Sequence, residues 1–467
     1  MILQNFQKLF SDIRFWIGFL FGLRLIGITN PPLETGHNWR QAFTNMITRN
    51  YVENGFNFLY PQIDMAGEKS GIVGSEFPIF NYLSFLFSIL TDFEHWHGRL
   101  VNLIVTSIGL YFFYKLIKAL FEEKVAFAST LLLGVSIWFG YGRKIMPDSF
   151  SVSLVIMALW FCYLFLKEGK WKNLILYFTL LSLGLLSKIP GLYLLGCLVI
   201  LPFLKSISVK RKVSVIIITT ISVSLVYLWY FYWVPILLKE HQFQLFFEKS
   251  FSEGWTEIKP LIGMALKRFY YYAFYGYLAF LASLVGIYFL IKQKNIYYIT
   301  AFIAMVFLFI AFIIKTGAVF PHHNYYIIPF VPVMAALGGI AIAKIPKKVY
   351  PFVLILIGIE SIANQQHGFF IADKNKYKLE LESICDEYIS KDELIVINGG
   401  QSHQPIYFSN RKGWTTFNDK VKNDIYLDSL IQLGAKKLII DKHMIDSFSS
   451  GDSLIFENED YKIYSLK

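Results

Sequence analysis

The sequence predicts a mainly α-helical protein with many membrane spans and a small α/β domain at its C-terminus. Three observations predict it. Of 467 residues, 55% are hydrophobic, 18% aromatic and only 16% charged, whereas a soluble domain carries about 25% charged residues. Apolar runs of roughly 17–23 residues recur, the length that crosses about 30 Å of hydrocarbon. After about residue 364 the composition changes, and Lys, Asp, Glu and Asn become frequent. This balance excludes a wholly soluble enzyme, a disordered chain and a small disulfide-stapled secreted domain. Cys162, Cys197 and Cys385 form no metal-type spacing and no disulfide framework.

The runs place about eleven spans, within a range of 10–13. They lie near 12–29, 99–118, 124–141, 146–166, 172–187, 189–205, 213–235, 270–291, 297–315, 325–343 and 349–364. The apolar stretch 78–91 reads as an interfacial helix. No small-residue cleavage site follows the first run, so it reads as a retained span rather than a removed signal.

The net charge is +11. In a soluble protein that sign would point to nucleic acid. Here the distribution of the cations explains it. One set of short loops holds fifteen: Lys115, Lys118, Lys124, Lys167, Lys170, Lys172, Lys205, Lys210, Arg211, Lys212, Lys292, Lys294, Lys344, Lys347 and Lys348. The alternating set holds Arg143, Lys144, Lys188 and Lys315. By the positive-inside rule the first set and the N-terminus are cytoplasmic, and no nucleic-acid partner is needed. An odd number of spans puts the C-terminal domain outside a cell membrane (inner or plasma).

Residues 1–364 therefore form the membrane domain, with long outer loops at about 30–98 and 236–269, and 365–467 the outer domain. Long loops in a compact protein are usually functional. The apolar residues of Phe243–Trp255 suit a membrane surface. In the outer domain Tyr377–Tyr388 and Asp424–Leu433 have helical spacing. Leu394–Ile397 and Lys437–Ile440 read as buried strands, and 453–466 as a hairpin.

Candidate chemistry gathers on the outer face. The first loop opens with Asn30-Pro31-Pro32-Leu33-Glu34-Thr35-Gly36-His37-Asn38-Trp39-Arg40-Gln41. The prolines end the span; Glu34, His37 and Arg40 then either cap a solvated helix or hold a general base at the membrane boundary. Asp64 and Glu76 add two carboxylates, with an N-terminal dipole role as the plainer reading of Glu76. His95 and His97 lack the spacing of a helical metal pair. Arg143, with Asp148 close by, and Lys188 and Arg268 emerge outside, against the charge trend. Each either snorkels to headgroups or meets an anion such as a lipid phosphate. His322 and His323, followed by Tyr325 at the mouth of the tenth span, could donate to a phosphate, bind a metal or serve in the aromatic belt.

Together these residues resemble the integral-membrane glycosyltransferases of the GT-C fold, in particular the bacterial protein mannosyltransferases and the aminoarabinose transferase of lipid A. The resemblance runs in order through an acidic residue after the first span, His37 to Gln41 (HxxRQ), Thr48 to Gly55, Glu76-Phe77-Pro78, Gly98-Arg99, Arg143 with Pro147-Asp148, Lys188-Ile189-Pro190 and His323-Asn324-Tyr325-Tyr326. Tyr407-Phe408-Ser409-Asn410-Arg411-Lys412-Gly413-Trp414 looks like the RKGW segment of the family's outer domain. The resemblance implies a hexosyl or pentosyl transferase. Its donor is a sugar on a polyprenyl phosphate, its acceptor hydroxyl belongs to a glycolipid, polysaccharide or protein outside the cytoplasm, and transfer inverts the anomeric carbon. It places the base at Glu34, with Asp64 and Glu76 as competitors, because Glu34-Thr35 departs from the commoner Asp or Asp-Glu pattern. On the mechanism this suggests, Arg143, Lys188 and Arg268, with His322, His323 and Tyr325, are expected to hold the donor phosphate. His37, Arg40, Gln41, Arg99 and Asp148 then organise the loop or acceptor. Relatives differ in metal use, so a divalent ion between the phosphate and a His or Glu stays open. Membrane lipids are the surrounding partner. A flippase for lipid-linked sugars, a glycan ligase and an interaction scaffold are the rival readings. A transporter would carry charges along the middle of its spans, where Arg24 is the main exception here and could reach outward.

Overall fold

The computed structural model describes residues 9–242, 249–445 and 447–467. Among them, five helices are long and apolar enough to cross a membrane: His97–Leu120, Pro147–Glu168, Val209–His241, Ile296–Thr316 and Asn324–Ile342. Shorter apolar helices include Trp171–Ser187, Ile189–Phe203, Leu278–Lys292 and Tyr350–Ala363. The chain is a mainly α, multi-pass membrane protein, as its composition predicts. It divides into two compact units. One contains the described residues of Met1–Ile28, Arg99–Tyr230 and Phe247–Phe369; the other contains those of Thr29–Gly98, Phe231–Phe246 and Phe370–Lys467.

The first unit is built of helices broken where the sequence supplies breakers. The predicted span 124–141 divides at Ser136 into Glu123–Val135 and Ile137–Tyr141, and the Ser136 side chain accepts from Trp138 N. Ile189–Phe203 is a 3-10 helix with Pro190 in its first turn and Pro202 inside. A 3-10 helix rises about 2.0 Å per residue, so fifteen residues reach about 30 Å, enough to cross hydrocarbon in a short segment. Pro147–Glu168 and Asn324–Ile342 are mostly buried within the protein, whereas Ile296–Thr316 leaves most of its surface outward. Small residues let the central helices close up: a Cβ on Gly339 would stand 1.9 Å from Ser129 Oγ, and one on Gly286 1.9 Å from Leu337 O. An apolar cavity of about 720 Å³ is lined by residues including Leu159, Cys162, Leu194, Leu201, Ala301 and Leu337. The surface stretch expected at Phe243–Trp255 lies in part outside the described residues. Its end begins the helix Phe251–Ile258, which a Ser250/Glu253 capping box starts.

In the second unit the first loop and the C-terminal segment share one hydrophobic core. The sheet comprises β1 (Leu394–Ile397), β2 (Gly413–Thr415), β3 (Ala435–Asp441), β4 (Ser453–Glu457) and β5 (Tyr461–Ser465), in the order β2-β1-β3-β5-β4. β1 is parallel to β2 and β3, and β5 is antiparallel to β3 and β4. Ala42, Phe43, Met46 and Ile47 of the helix Asn38–Glu53 share a core with Ile395, Ile397, Ile406 and Tyr407. The first loop also extends the sheet edge, where Met65 bridges Gly413 and Gly67 N donates to Gly413 O at 2.8 Å. The stretch 78–91 forms the helix Ile79–Thr91, about 20 Å long at 1.5 Å per residue and too short for a span. β2 and the helix Gln404–Ser409 are additions to the sequence-based reading. A three-residue parallel strand that begins with glycine carries too little periodicity to be seen.

Candidate active site

In the second unit, Gly36 and His37 take positive φ (95° and 52°), turning the chain sharply before the helix Asn38–Glu53. Upstream of that turn Glu34 is fully buried, and its Oε1 accepts from Asn30 Nδ2 at 3.1 Å. Arg40 pairs with Glu76 and lies over the Phe43 ring at 4.8 Å. Asp64 has both oxygens engaged: Oδ2 accepts from Arg49 at 2.8 Å and Oδ1 from Asn50 Nδ2 at 2.9 Å. Burial works to lower Arg49, but Asp64 and then Tyr407 outweigh it and hold the guanidinium above its ordinary range.

Tyr407 and His403, to which the sequence-based reading gave no role, complete this region. Tyr407 lies against Arg49 at 4.8 Å, and its carbonyl accepts from Arg49 Nη1 at 2.9 Å. Its hydroxyl meets Asn45 Nδ2 at 3.0 Å and His95 Nδ1 at 2.5 Å. His403 packs between Trp39 and Phe43. The one sequence signal was the Tyr407–Trp414 stretch, which carried the RKGW resemblance. Its Arg411 is structural here: buried, it donates to Cys385 O and Ile389 O and pairs with Asp386 at 2.9 Å.

The first unit holds the other candidates. Asn102 Nδ2 lies 3.0 Å from Tyr141 O and 2.7 Å from Lys144 O, pinning the turn that carries Arg143. The buried Arg143 donates to Ile26 O and Gly27 O and lies 4.3 Å over Phe369. Asp148 sits in the first turn of Pro147–Glu168, and Oδ1 is 3.9 Å from Lys188 Nζ. Lys188 occupies the break between two helices, which Ser151 Oγ ties by donating to Gly184 O at 2.7 Å and Lys188 O at 3.0 Å. Arg268 is 7% exposed, donates to Pro321 O and lies 4.5 Å over Tyr272. Tyr141 Oη donates to Asn324 Oδ1 at 2.6 Å, and Asn324 Nδ2 to Tyr275 Oη at 2.7 Å. Tyr325 is buried beside His323 (ring centroids 5.5 Å apart), while His322 is exposed. Arg99 is fully buried near the start of His97–Leu120.

Arg24 does not reach outward. Its guanidinium is fully buried and turns inward, donating to Leu20 O at 3.2 Å and Ser107 Oγ at 2.9 Å. A Cβ on Gly142 would come within 2.9 Å of it. Polar acceptors inside the unit make the inward rotamer cheaper than snorkelling through lipid. Among the described residues no three His, Cys, Asp or Glu side chains converge as a metal-ligating group.

Thus Glu34, His37, Arg40, Gln41, Asp64 and Glu76 lie in one unit, and Arg99, Arg143, Asp148, Lys188, Arg268, His322, His323 and Tyr325 in the other.

The architecture is of the GT-C fold type. The sequence model of the family described as dolichyl-phosphate-mannose-protein mannosyltransferase matches residues 75–233. The structure is similar to that of ArnT from Cupriavidus metallidurans bound to undecaprenyl phosphate, with TM-score 0.63 and 11% identity over 96% of this chain and 98% of that one. It is similar to the Archaeoglobus fulgidus oligosaccharyltransferase in the apo form, with TM-score 0.60 and 12% identity over 92% of this chain and 70% of that one. A further form of that enzyme, tethered to an acceptor peptide containing the NVT sequon, gives TM-score 0.61. At such identities the likeness is one of fold. No curated protein sequence matches the chain significantly.

Proposed function

We propose that this protein transfers a sugar from a polyprenyl-phosphate donor to a hydroxyl of a glycolipid, polysaccharide or protein on the outer side of a cell membrane, with inversion. The N-terminus is then cytoplasmic and the C-terminal domain external. The observation that carries the reading is Arg268. It is a buried guanidinium whose described neighbours, Pro321 O and the Tyr272, Tyr275 and Tyr141 phenols, are neutral. A buried cation calls for an anion, and a lipid phosphate supplies one through charge-assisted hydrogen bonds.

In this reading the acceptor hydroxyl attacks the anomeric carbon and passes its proton to Glu34, while the bond from that carbon to the phosphate oxygen breaks. Asp64 is held by Arg49 and Glu76 by Arg40; Glu34 takes the base role because it stands where the resembled family keeps its acidic residue after the first span. The departing polyprenyl phosphate gains charge, which Arg268, Arg143 and Lys188 offset, with His323 or the more exposed His322 and with Tyr325. The apolar cavity near Leu194 and Leu337 offers room for a lipid chain.

The test is transfer of label from a polyprenyl-phosphate sugar to an envelope glycan extract by purified protein. Transfer by the parent protein, reduced at least about 100-fold in Arg268→Gln, supports the reading. Absence of transfer with any such donor, or full activity of the variant, contradicts it.

A further inference from the structure

The reading above leaves His403 without a role. It precedes the helix Gln404–Ser409, makes no capping bond, and is 4% exposed. Neither ring nitrogen has a hydrogen-bond partner among the described residues. The ring stacks on Trp39, with centroids 5.9 Å apart and planes 24° apart, and stands edge-on to Phe43 at 5.1 Å. Both partners lie on Asn38–Glu53, the helix that carries Arg40. The adjacent Gln404 donates from Nε2 to Pro32 O at 3.0 Å, two residues before Glu34. The imidazole is thus packed on the first-loop helix, and the residue after it is tied to the first loop.

A phenylalanine would fill this aromatic slot without burying two polar atoms. Buried polar groups are normally satisfied, and an exception in a native protein points to a group outside the chain. Burial first, and then the charge of Arg40, push His403 down to about 4, so the ring is neutral near pH 7. A neutral imidazole offers one N–H and one lone pair, which suits hydroxyls better than anions.

We propose that His403 receives a hydroxyl of the acceptor sugar, making the C-terminal α/β segment part of acceptor recognition. The inference rests on the transferase reading and names the acceptor class of that reaction as a glycan.

The test titrates an envelope glycan extract as acceptor against protein carrying His403→Phe or His403→Gln. His403→Phe keeps the packing and removes the polar atoms. It is expected to raise the acceptor KM about tenfold, the effect of a single hydrogen bond. The donor KM, kcat and melting temperature should stay near those of the parent. His403→Gln, which keeps a donor and an acceptor, is expected to recover part of the loss. Equilibrium binding of the same glycans without donor should weaken about tenfold in His403→Phe, a readout that stands even where transfer fails. An unchanged acceptor KM with unchanged glycan binding overturns the inference. So does a shift confined to the donor KM, or a loss that follows a lowered melting temperature. Absence of transfer by the parent protein, with glycan binding still sensitive to His403, instead counts against the transferase reading.

Discussion

The three carboxylates of the first outer loop share a formal charge and differ in surroundings. Asp64 is clamped by Arg49 and Asn50, Glu76 by Arg40, and Glu34 is buried with the Asn30 amide against one oxygen. Asp64→Asn is expected to lower stability by about 3 kcal/mol, because removing one partner strands the buried Arg49 charge; thermal unfolding in detergent checks it. His403 gives a pH prediction with a definite sign. Its folded pKa lies near 4, below the ordinary value of 6.5, so between those values the unfolded chain binds more protons and stability rises with pH. The protein should lose about 3 kcal/mol from this group as pH falls from 6.5 to 4, and His403→Phe should flatten that part of the profile. Sequence spacing exposed the carboxylates and cations. It could not expose Asn45–Tyr407, a pair 362 residues apart, because nothing local marks a long-range hydrogen bond.

At the scale of the element, the RKGW segment resolves into separate structural jobs. Arg411 fastens the end of the helix Leu381–Tyr388. Gly413 lets β2 approach β1, where a Cβ would stand 1.9 Å from Ile395 O. Trp414 covers Gly67 of the first loop, where a Cβ would stand 2.3 Å from its indole nitrogen. Gly413→Ala is therefore expected to destabilise the second unit by 1–3 kcal/mol or more, the usual range of about that size for overpacking. Limited proteolysis of the C-terminal segment reads that loss directly. The strands β1, β3 and the closing hairpin were legible because apolar runs and turn residues bracket them. β2 was not, because its identity lies in a backbone approach rather than in a pattern. The break at Ser187-Lys188-Ile189-Pro190 was legible as a polar and proline interruption; the break at Ser136 was not, because the apolar run 124–141 continues through it, nor was the 3-10 winding of Ile189–Phe203, because hydropathy carries no information on rise per residue.

For the whole molecule, composition and loop charge gave the membrane class, and order of motifs gave the GT-C fold that the structural likeness bears out. Neither could show that the described residues of 29–98, 231–246 and 370–467 form one compact unit, since the core they share joins segments far apart in sequence. The proposed orientation predicts that a membrane-impermeant thiol reagent added from outside labels Asp452→Cys and leaves Ser206→Cys untouched. The most direct test of the central claim is transfer by Glu34→Gln, measured with labelled polyprenyl-phosphate sugar and the parent protein side by side. A base that accepts a proton contributes about 100- to 10,000-fold. The account predicts that the variant folds, retains the donor and loses transfer by at least the lower figure; transfer at the parent rate would contradict it.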